Sequence, residues 1–203
     1  DGPDRLLNNN GDGTYRDIAV RAGVSGGERP SRSVLVADVD LDRDADLIIL
    51  HDTPPHAVYL NDRLWSYARS SAFEGFEAAP LLAVSSRYGS ENGLAVLRTV
   101  EEGGIASNWA NDGGAIPAWT STEREVLCLD APRSVDLVPI DCTGDGLEEL
   151  IVRTEAGLYV LSPGNEVVAS FASDQPLVSL SSVVLDPEEG PGLLTLSEQG
   201  VLD

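Results

Sequence analysis

Residues 38–46 read D-V-D-L-D-R-D-A-D, with Asp38, Asp40, Asp42, Asp44 and Asp46 at every second position, and run directly into the apolar stretch Leu47–Leu50. On a continuous β-strand all five carboxylates would share one face, because strand side chains alternate. Like charges at that spacing repel. A cation removes the conflict. Calcium takes six to eight oxygen ligands at about 2.3–2.6 Å. A tight turn after a strand can curl positions 1, 3 and 5 of such a loop around one point. Position 7 then offers its backbone carbonyl, and position 9 closes the site from the start of the next strand. The spacing therefore predicts that the five acids bend around a calcium ion.

A second loop has the same design. Residues 141–150 read D-C-T-G-D-G-L-E-E-L and put Asp141, Thr143, Asp145 and Glu149 at positions 1, 3, 5 and 9. Gly144 and Gly146 permit the positive φ angles of a turn. The first loop has Arg43 where this one has Gly146. Thr143 is a weaker ligand than aspartate, so the second site is expected to bind less tightly. "NNNGDG" at 8–13 looks like a third such loop but has no apolar strand after it. Asn-Gly and Asp-Gly are hairpin chemistry, and this stretch reads as a turn.

The elements that would carry these loops are short strands. "SVLVAD", "DLIIL", "AVYLND" and "LWSYARSS" follow one another within 33–71, and "VDLVPID", "EELIV", "GLYVLS" and "EVVASFAS" repeat the rhythm within 135–173. Four short strands joined by tight turns predict an antiparallel meander. Helical periodicity is nearly absent; "RDIAVRAGV" at 16–24 reads as a short helix or as a strand and loop. The meander recurs. Asp38 and Asp141 stand 103 residues apart, the "RT" pairs at 98–99 and 153–154 stand 55 apart, and Leu150 and Leu193 stand 43 apart. Such periods with four strands per unit predict an all-β fold of propeller blades. The expected blades are 33–75, 80–127 and 132–173, with partial ones at 1–25 and 177–203. Both terminal segments are expected to include the third strand of a blade, so that they overlap instead of completing one blade. The whole chain reads as a single propeller or a portion of one, and its start at Asp1 without Met suggests a processed chain or a fragment.

The pattern D-x-D-x-D-G-x-x-D-L between strands resembles the FG-GAP (VCBS-type) repeat of integrin α-subunit propellers and of many secreted bacterial proteins. "RLLNNNGDGTYRDIAVRAGV" is similar to the segment that follows such a loop in the bacterial members. The resemblance is strongest over 1–71 and 135–162. It implies a calcium-stabilised propeller outside the cytoplasm. The ligand positions it implies are Asp38, Asp40, Asp42, the Asp44 carbonyl and Asp46, and, in the second loop, Asp141, Thr143, Asp145, the Leu147 carbonyl and Glu149. Arg43 departs from the usual glycine. The middle unit (86–97) and the last (186–193) lack the acids and are expected to be metal-free.

Composition bounds the function. A net charge of −21 over 203 residues disfavours nucleic acid and anionic membranes and favours cations or basic protein surfaces. It is equally what a GC-rich genome or a salt-adapted proteome would give. All 13 basic residues are arginine, which excludes Schiff-base lysines and a P-loop. No apolar run approaches the roughly 20 residues of a membrane span. Cys128 and Cys142 form no CxxC; a disulfide and two separate small buried residues both fit. His51 and His56 are read as loop residues without a metal or catalytic role. Trp65 is read as packing, whereas Trp109 and Trp119 fall in "GGIASNWANDGGAIPAW" (103–119), read as an insertion between strands, and are the better ligand-contact candidates, with blade packing the alternative. No acid/base pair can be placed, so catalysis is not expected. The expected function is a calcium-binding extracellular, cell-surface or periplasmic module that presents loops to a protein partner, on its own or as a subunit of a larger assembly. The alternative is a carbohydrate-binding propeller, a lectin or part of a polysaccharide-acting enzyme.

Overall fold

A computed structural model describes residues 2–27, 29–40, 42–63, 65–78, 81–87, 93–100, 103–111, 119–126, 135–186 and 190–200. Asp1–Pro80 with Asn111–Ala118 form one compact unit, and Leu81–Ala110 with Trp119–Asp203 form another.

In the first unit, β1 (Leu7–Asn9) and β2 (Tyr15–Asp17) make a hairpin. Its turn is held by Asn9, whose Oδ1 accepts the Gly11 N–H, and by Asp12, whose Oδ1 accepts the Thr14 N–H and hydroxyl. This is the turn the Asn-Gly and Asp-Gly pairs imply. "RDIAVRAGV" divides between the end of β2 and a single helical turn, α1 (Ala19–Ala22). Asp17 Oδ1 accepts the Ala19 N–H at 3.0 Å, and Gly23 stops the helix at φ 82°. A Cβ at Gly23 would stand 2.7 Å from the Tyr67 carbonyl oxygen, so this stop needs glycine twice over.

β3 (Ser31–Ala37), β4 (Asp46–His51), β5 (Ala57–Asn61) and β6 (Tyr67–Arg69) form a four-stranded antiparallel meander in chain order. β4 is buried along its whole length. Leu47 and Ile49 face Ala19, Ala22, Val24, Ala57, Tyr59 and Tyr67 in one apolar cluster, so α1 covers that face. A 3-10 turn (Ser71–Phe73) and α2 (Glu74–Ala78) follow, an addition that the residue pattern does not signal. Glu77 of α2 is anchored to the sheet: its Oε1 accepts the Val58 N–H and its Oε2 pairs with Arg69 at 2.6 Å.

The second unit holds two more meanders in chain order. One comprises β7 (Leu81–Arg87), β8 (Gly93–Val100), β9 (Gly103–Asn111) and β10 (Trp119–Val126). The other comprises β11 (Asp136–Ile140), β12 (Glu149–Thr154), β13 (Gly157–Leu161) and β14 (Val167–Ala172). A hairpin of β15 (Leu177–Asp186) and β16 (Gly190–Ser197) ends the described chain. Leu180 and Leu193 of this hairpin pack on Ile140 and Ile151, while Leu150, Val152 and Leu161 form a separate cluster. Arg153, 1% exposed, pairs with Asp136 at 2.9 Å and donates to the Leu177 carbonyl, and the Leu180 N–H donates to the same Asp136 oxygen. This half-buried ion pair staples the hairpin to β11 and β12.

The protein is thus mostly β, in antiparallel sheets of two to four strands. No helix among the described residues is long and apolar enough to cross a membrane.

Two expectations change. The supposed insertion at 103–119 is largely β9, paired with β8 from Val100↔Gly103 to Gly93↔Ala110. Its glycine, serine and asparagine residues hide the strand in the sequence, and the pairing with β8 reveals it. Trp109 therefore lies within β9 and Trp119 opens β10, while 112–118 lie outside the described residues. Trp65 is 56% exposed in the turn between β5 and β6 at φ 56°, so it does not pack in an outer strand. Each terminal segment contributes two described strands.

Candidate metal centre

The first acidic loop connects β3 to β4, and its own carboxylates fold it. Asp38 Oδ1 accepts the Asp42 N–H at 3.1 Å and its Oδ2 accepts the Arg43 N–H at 3.0 Å. Asp42 Oδ1 accepts the Asp44 N–H at 2.9 Å. These bonds tie position 1 to positions 5 and 6, and position 5 to position 7. Arg43 adopts φ 74°. The turn therefore needs the left-handed conformation at position 6 even where the residue is not glycine.

The result brings one oxygen each of Asp38, Asp40 and Asp42 within 4.8 Å of one another. Two ligands of a single calcium ion stand at most about 5 Å apart, twice the bond length. Asp40 Oδ1 is enclosed and has no hydrogen-bond partner. An enclosed carboxylate oxygen without a donor is costly unless something positive meets it. Burial, and then the neighbouring Asp42 and Asp38 charges, push the Asp40 carboxyl above its ordinary range. The three aspartates can hold a metal ion, and an oxygen-only set of this kind suits a hard cation.

Asp44 and Asp46 are used differently. Asp44 Oδ2 pairs with Arg63 at 3.0 Å. Asp46 is fully buried; its Oδ2 accepts the Val39 N–H at 2.8 Å and its Oδ1 accepts the Asn61 N–H at 2.9 Å. Position 9 thus clamps position 2 of its own loop and the end of β5. Burial is the main reason that the Asp46 carboxyl is pushed up to about 6.

The second loop, between β11 and β12, repeats the backbone pattern. Asp141 accepts the Gly144 N–H (2.6 Å) and the Gly146 N–H (2.9 Å), Asp145 Oδ1 accepts the Leu147 N–H (2.8 Å), and Glu149 Oε2 accepts the Cys142 N–H (2.9 Å). Gly144 and Gly146 stand at φ 75° and 84°. Thr143 turns its hydroxyl toward Asp141 at 3.5 Å. Among the described residues this loop brings no three carboxylates together as the first does. The amides of Gly146 and Gly144 hold the Asp141 carboxyl below its ordinary range. Cys142 is a free, exposed thiol at position 2, raised by burial of its sulfur and by Glu149 and Asp141; Cys128 lies outside the described residues, as do the 86–97 loop tip at 88–92 and residues 187–189.

Two contributors to the first loop are not evident from its spacing, Asn61 and Arg63. The β4–β5 register, Leu47↔Tyr59, extends to set Asn61 opposite Ala45. There its amide nitrogen donates to the Ala45 carbonyl at 3.2 Å. Arg63 donates to Asp42 O at 2.9 Å as well as to Asp44. The Asn-Asp turn signal after "AVYL" marks the turn, but only the sheet register says which loop it touches. His51 and His56 are not open loop residues. The His51 N–H donates to His56 Nδ1 at 3.2 Å, the rings stack at 6.4 Å, and both are buried. They bind the β4–β5 turn internally.

No family model matches the chain. Human cartilage acidic protein 1 is similar to part of it, 39% identical over 59 residues. That stretch is 29% of this chain and spans 9% of the length of the human protein.

Proposed function

We propose that the chain is a portion of a calcium-stabilised β-propeller of the FG-GAP (VCBS) kind, working outside the cytoplasm as a protein-interaction or scaffold module. The enclosed, partnerless Asp40 Oδ1 inside the Asp38–Asp40–Asp42 cluster carries the metal part. Calcium is favoured among hard cations because a carboxylate-rich loop with a carbonyl at position 7 suits six to eight ligands better than an octahedral magnesium shell. Asp38, Asp40 and Asp42 would hold the ion, with Asp44 offering its carbonyl. Asp46 would keep the loop shut. Asp141, Thr143, Asp145, the Leu147 carbonyl and Glu149 form the weaker second site.

The propeller part is supported by the three four-stranded meanders and by the neighbouring first strands: β11 lies beside both β7 and β15. Successive blades around an axis bring first strands together in this way. The ion would add its binding free energy to folding, and affinities in the range of roughly 10⁻⁴–10⁻³ M fit extracellular calcium. The partner would be a protein, with a basic surface favoured by the −21 charge. A carbohydrate partner is the second reading, favoured by Trp65, exposed in the same β5–β6 turn as Arg63.

Thermal melts in excess calcium and in chelator test the metal reading. At calcium a hundredfold above Kd the gain is about 2.7 kcal/mol. We expect Asp40→Ala to lose most of it and Asp145→Ala to lose little. Equal midpoints with and without calcium in the unmutated chain sink this reading.

A further inference from the structure

We propose that Arg63 is a built-in counter-cation for the aspartate loop, and that its charge sets how tightly the loop holds a free cation. The affinity half of this proposal rests on the metal reading above; the counter-charge half does not.

Arg63 engages the loop at two points. Its Nε pairs with Asp44 Oδ2 at 3.0 Å, and one terminal nitrogen donates to the Asp42 carbonyl at 2.9 Å. The guanidinium therefore spans positions 5 and 7 of a loop that carries five carboxylates in nine residues. Its backbone is committed to this pose at φ 72°, a left-handed conformation that side chains disfavour. The last residue of β5, just before this turn, supplies the Asn61 N–H to Asp46 and the Asn61 amide to Ala45. The end of β5 and the turn after it are thus fastened to the loop through two residues, Asn61 and Arg63, and Arg63 is the one cation of that turn.

Two consequences follow. Without a metal, Arg63 offsets part of the mutual repulsion of Asp38, Asp40, Asp42 and Asp44. As an isolated exposed pair, Arg63–Asp44 would contribute little, since Arg63 is 68% exposed. Its effect on a dense set of like charges is larger because it acts on all of them at once. With a metal, the same positive charge repels the incoming ion. Arg63 also turns the Asp44 side chain to itself, which leaves the position 7 backbone oxygen as the ligand. The second loop is an internal control. The turn from β13 to β14, Ser162–Glu166, carries no arginine and closes on Asn165 at φ 62°.

The test uses the full chain as wild type, Arg63→Gln and Arg63→Lys. Thermal midpoints are read in chelator at low and high salt, and calcium affinity is read by titration calorimetry. In chelator at low salt, Arg63→Gln should melt a few degrees below wild type, and high salt should close the gap. Its calcium affinity at low salt should rise about three- to tenfold, with the gain shrinking as salt is added. Arg63→Lys keeps the charge and should lie near wild type in both. Unchanged or weaker calcium binding in Arg63→Gln overturns the affinity half. If the wild type takes up no calcium at all, the metal reading falls and the chelator midpoints alone decide. A salt-sensitive drop then supports the counter-cation, and an unchanged midpoint overturns it.

Discussion

The two acidic loops share a backbone and differ in electrostatics. In both, position 1 accepts amides from the middle of the loop, position 5 accepts the amide of position 7, and position 9 accepts the amide of position 2. The first loop achieves this with five aspartates, an enclosed oxygen without a donor, and carboxyls at Asp40 and Asp46 raised by burial. The second achieves it with two glycines at positive φ, a threonine at position 3 and an Asp141 carboxyl lowered by amides. The second loop is satisfied by its own hydrogen bonds. The first is left short of positive charge, and Arg63 supplies part of it. The same fold of chain can therefore be a self-sufficient turn or a cation trap, depending on whether position 3 adds a carboxylate, as Asp40 does, or a neutral hydroxyl, as Thr143 does.

The largest expected difference lies at position 9. Asp46→Ala strands two backbone N–H groups, those of Val39 and Asn61, whereas Glu149→Ala strands the Cys142 N–H. At roughly 1–3 kcal/mol for each group left without an acceptor, urea unfolding in chelator should show a loss of about 4 kcal/mol for Asp46→Ala and about half that for Glu149→Ala. Equal losses would mean that the Asn61 contact contributes nothing and would break the distinction between the loops.

An effect of intermediate size is expected on pH dependence. Asp46 titrates at about 6 when folded, against an ordinary 3.8. Between those values the folded state binds more protons than the unfolded one, so metal-free stability should fall as pH rises from about 4 to about 6 and then level off. Asp141 has the opposite sign, because its lowered carboxyl contributes stability that is lost on acidification through its folded pKa. Urea unfolding across this pH range should show the Asp46 slope in wild type and not in Asp46→Asn. A slope that survives the substitution would assign it elsewhere.

The smallest difference concerns position 6. Arg43→Gly relieves a side chain held at φ 74° and should stabilise the metal-free chain by at most about 1 kcal/mol, whereas Gly146→Ala should cost about 1 kcal/mol. No atom lies within 4 Å of where a Gly146 Cβ would stand, so the cost there is conformational, not steric. Differential scanning calorimetry in chelator would resolve both, and a stabilising Gly146→Ala would show that the two turns do not share their geometry.

Much of the fold was legible locally. Runs such as "DLIIL" and "EELIV" begin at the acids that start strands β4 and β12, because alternation and turn residues are properties of neighbours in the chain. The second strand of each loop-bearing meander was found for the same reason. What was illegible depended on partners far away in sequence. β9 looked like an insertion because glycine, serine and asparagine carry no apolar period, and only pairing with β8 makes them a strand. Trp65 looked like outer-strand packing until the turn placed it outside. His56 looked exposed beside Pro54 and Pro55, yet Glu77, 21 residues on, accepts its backbone N–H.

By itself, the sequence determined where the acids fall, that they cannot all lie along one strand, and which positions of a turn they must occupy, since charge repulsion and side-chain spacing are local facts. The tertiary structure alone decided which of those acids are left for a cation. Burial under the β5 end commits Asp46 to two backbone amides, and the β4–β5 register delivers Asn61 and Arg63 to the loop. Whether an oxygen meets an amide, a guanidinium or nothing depends on what packs against it, and that is fixed only when the sheet closes.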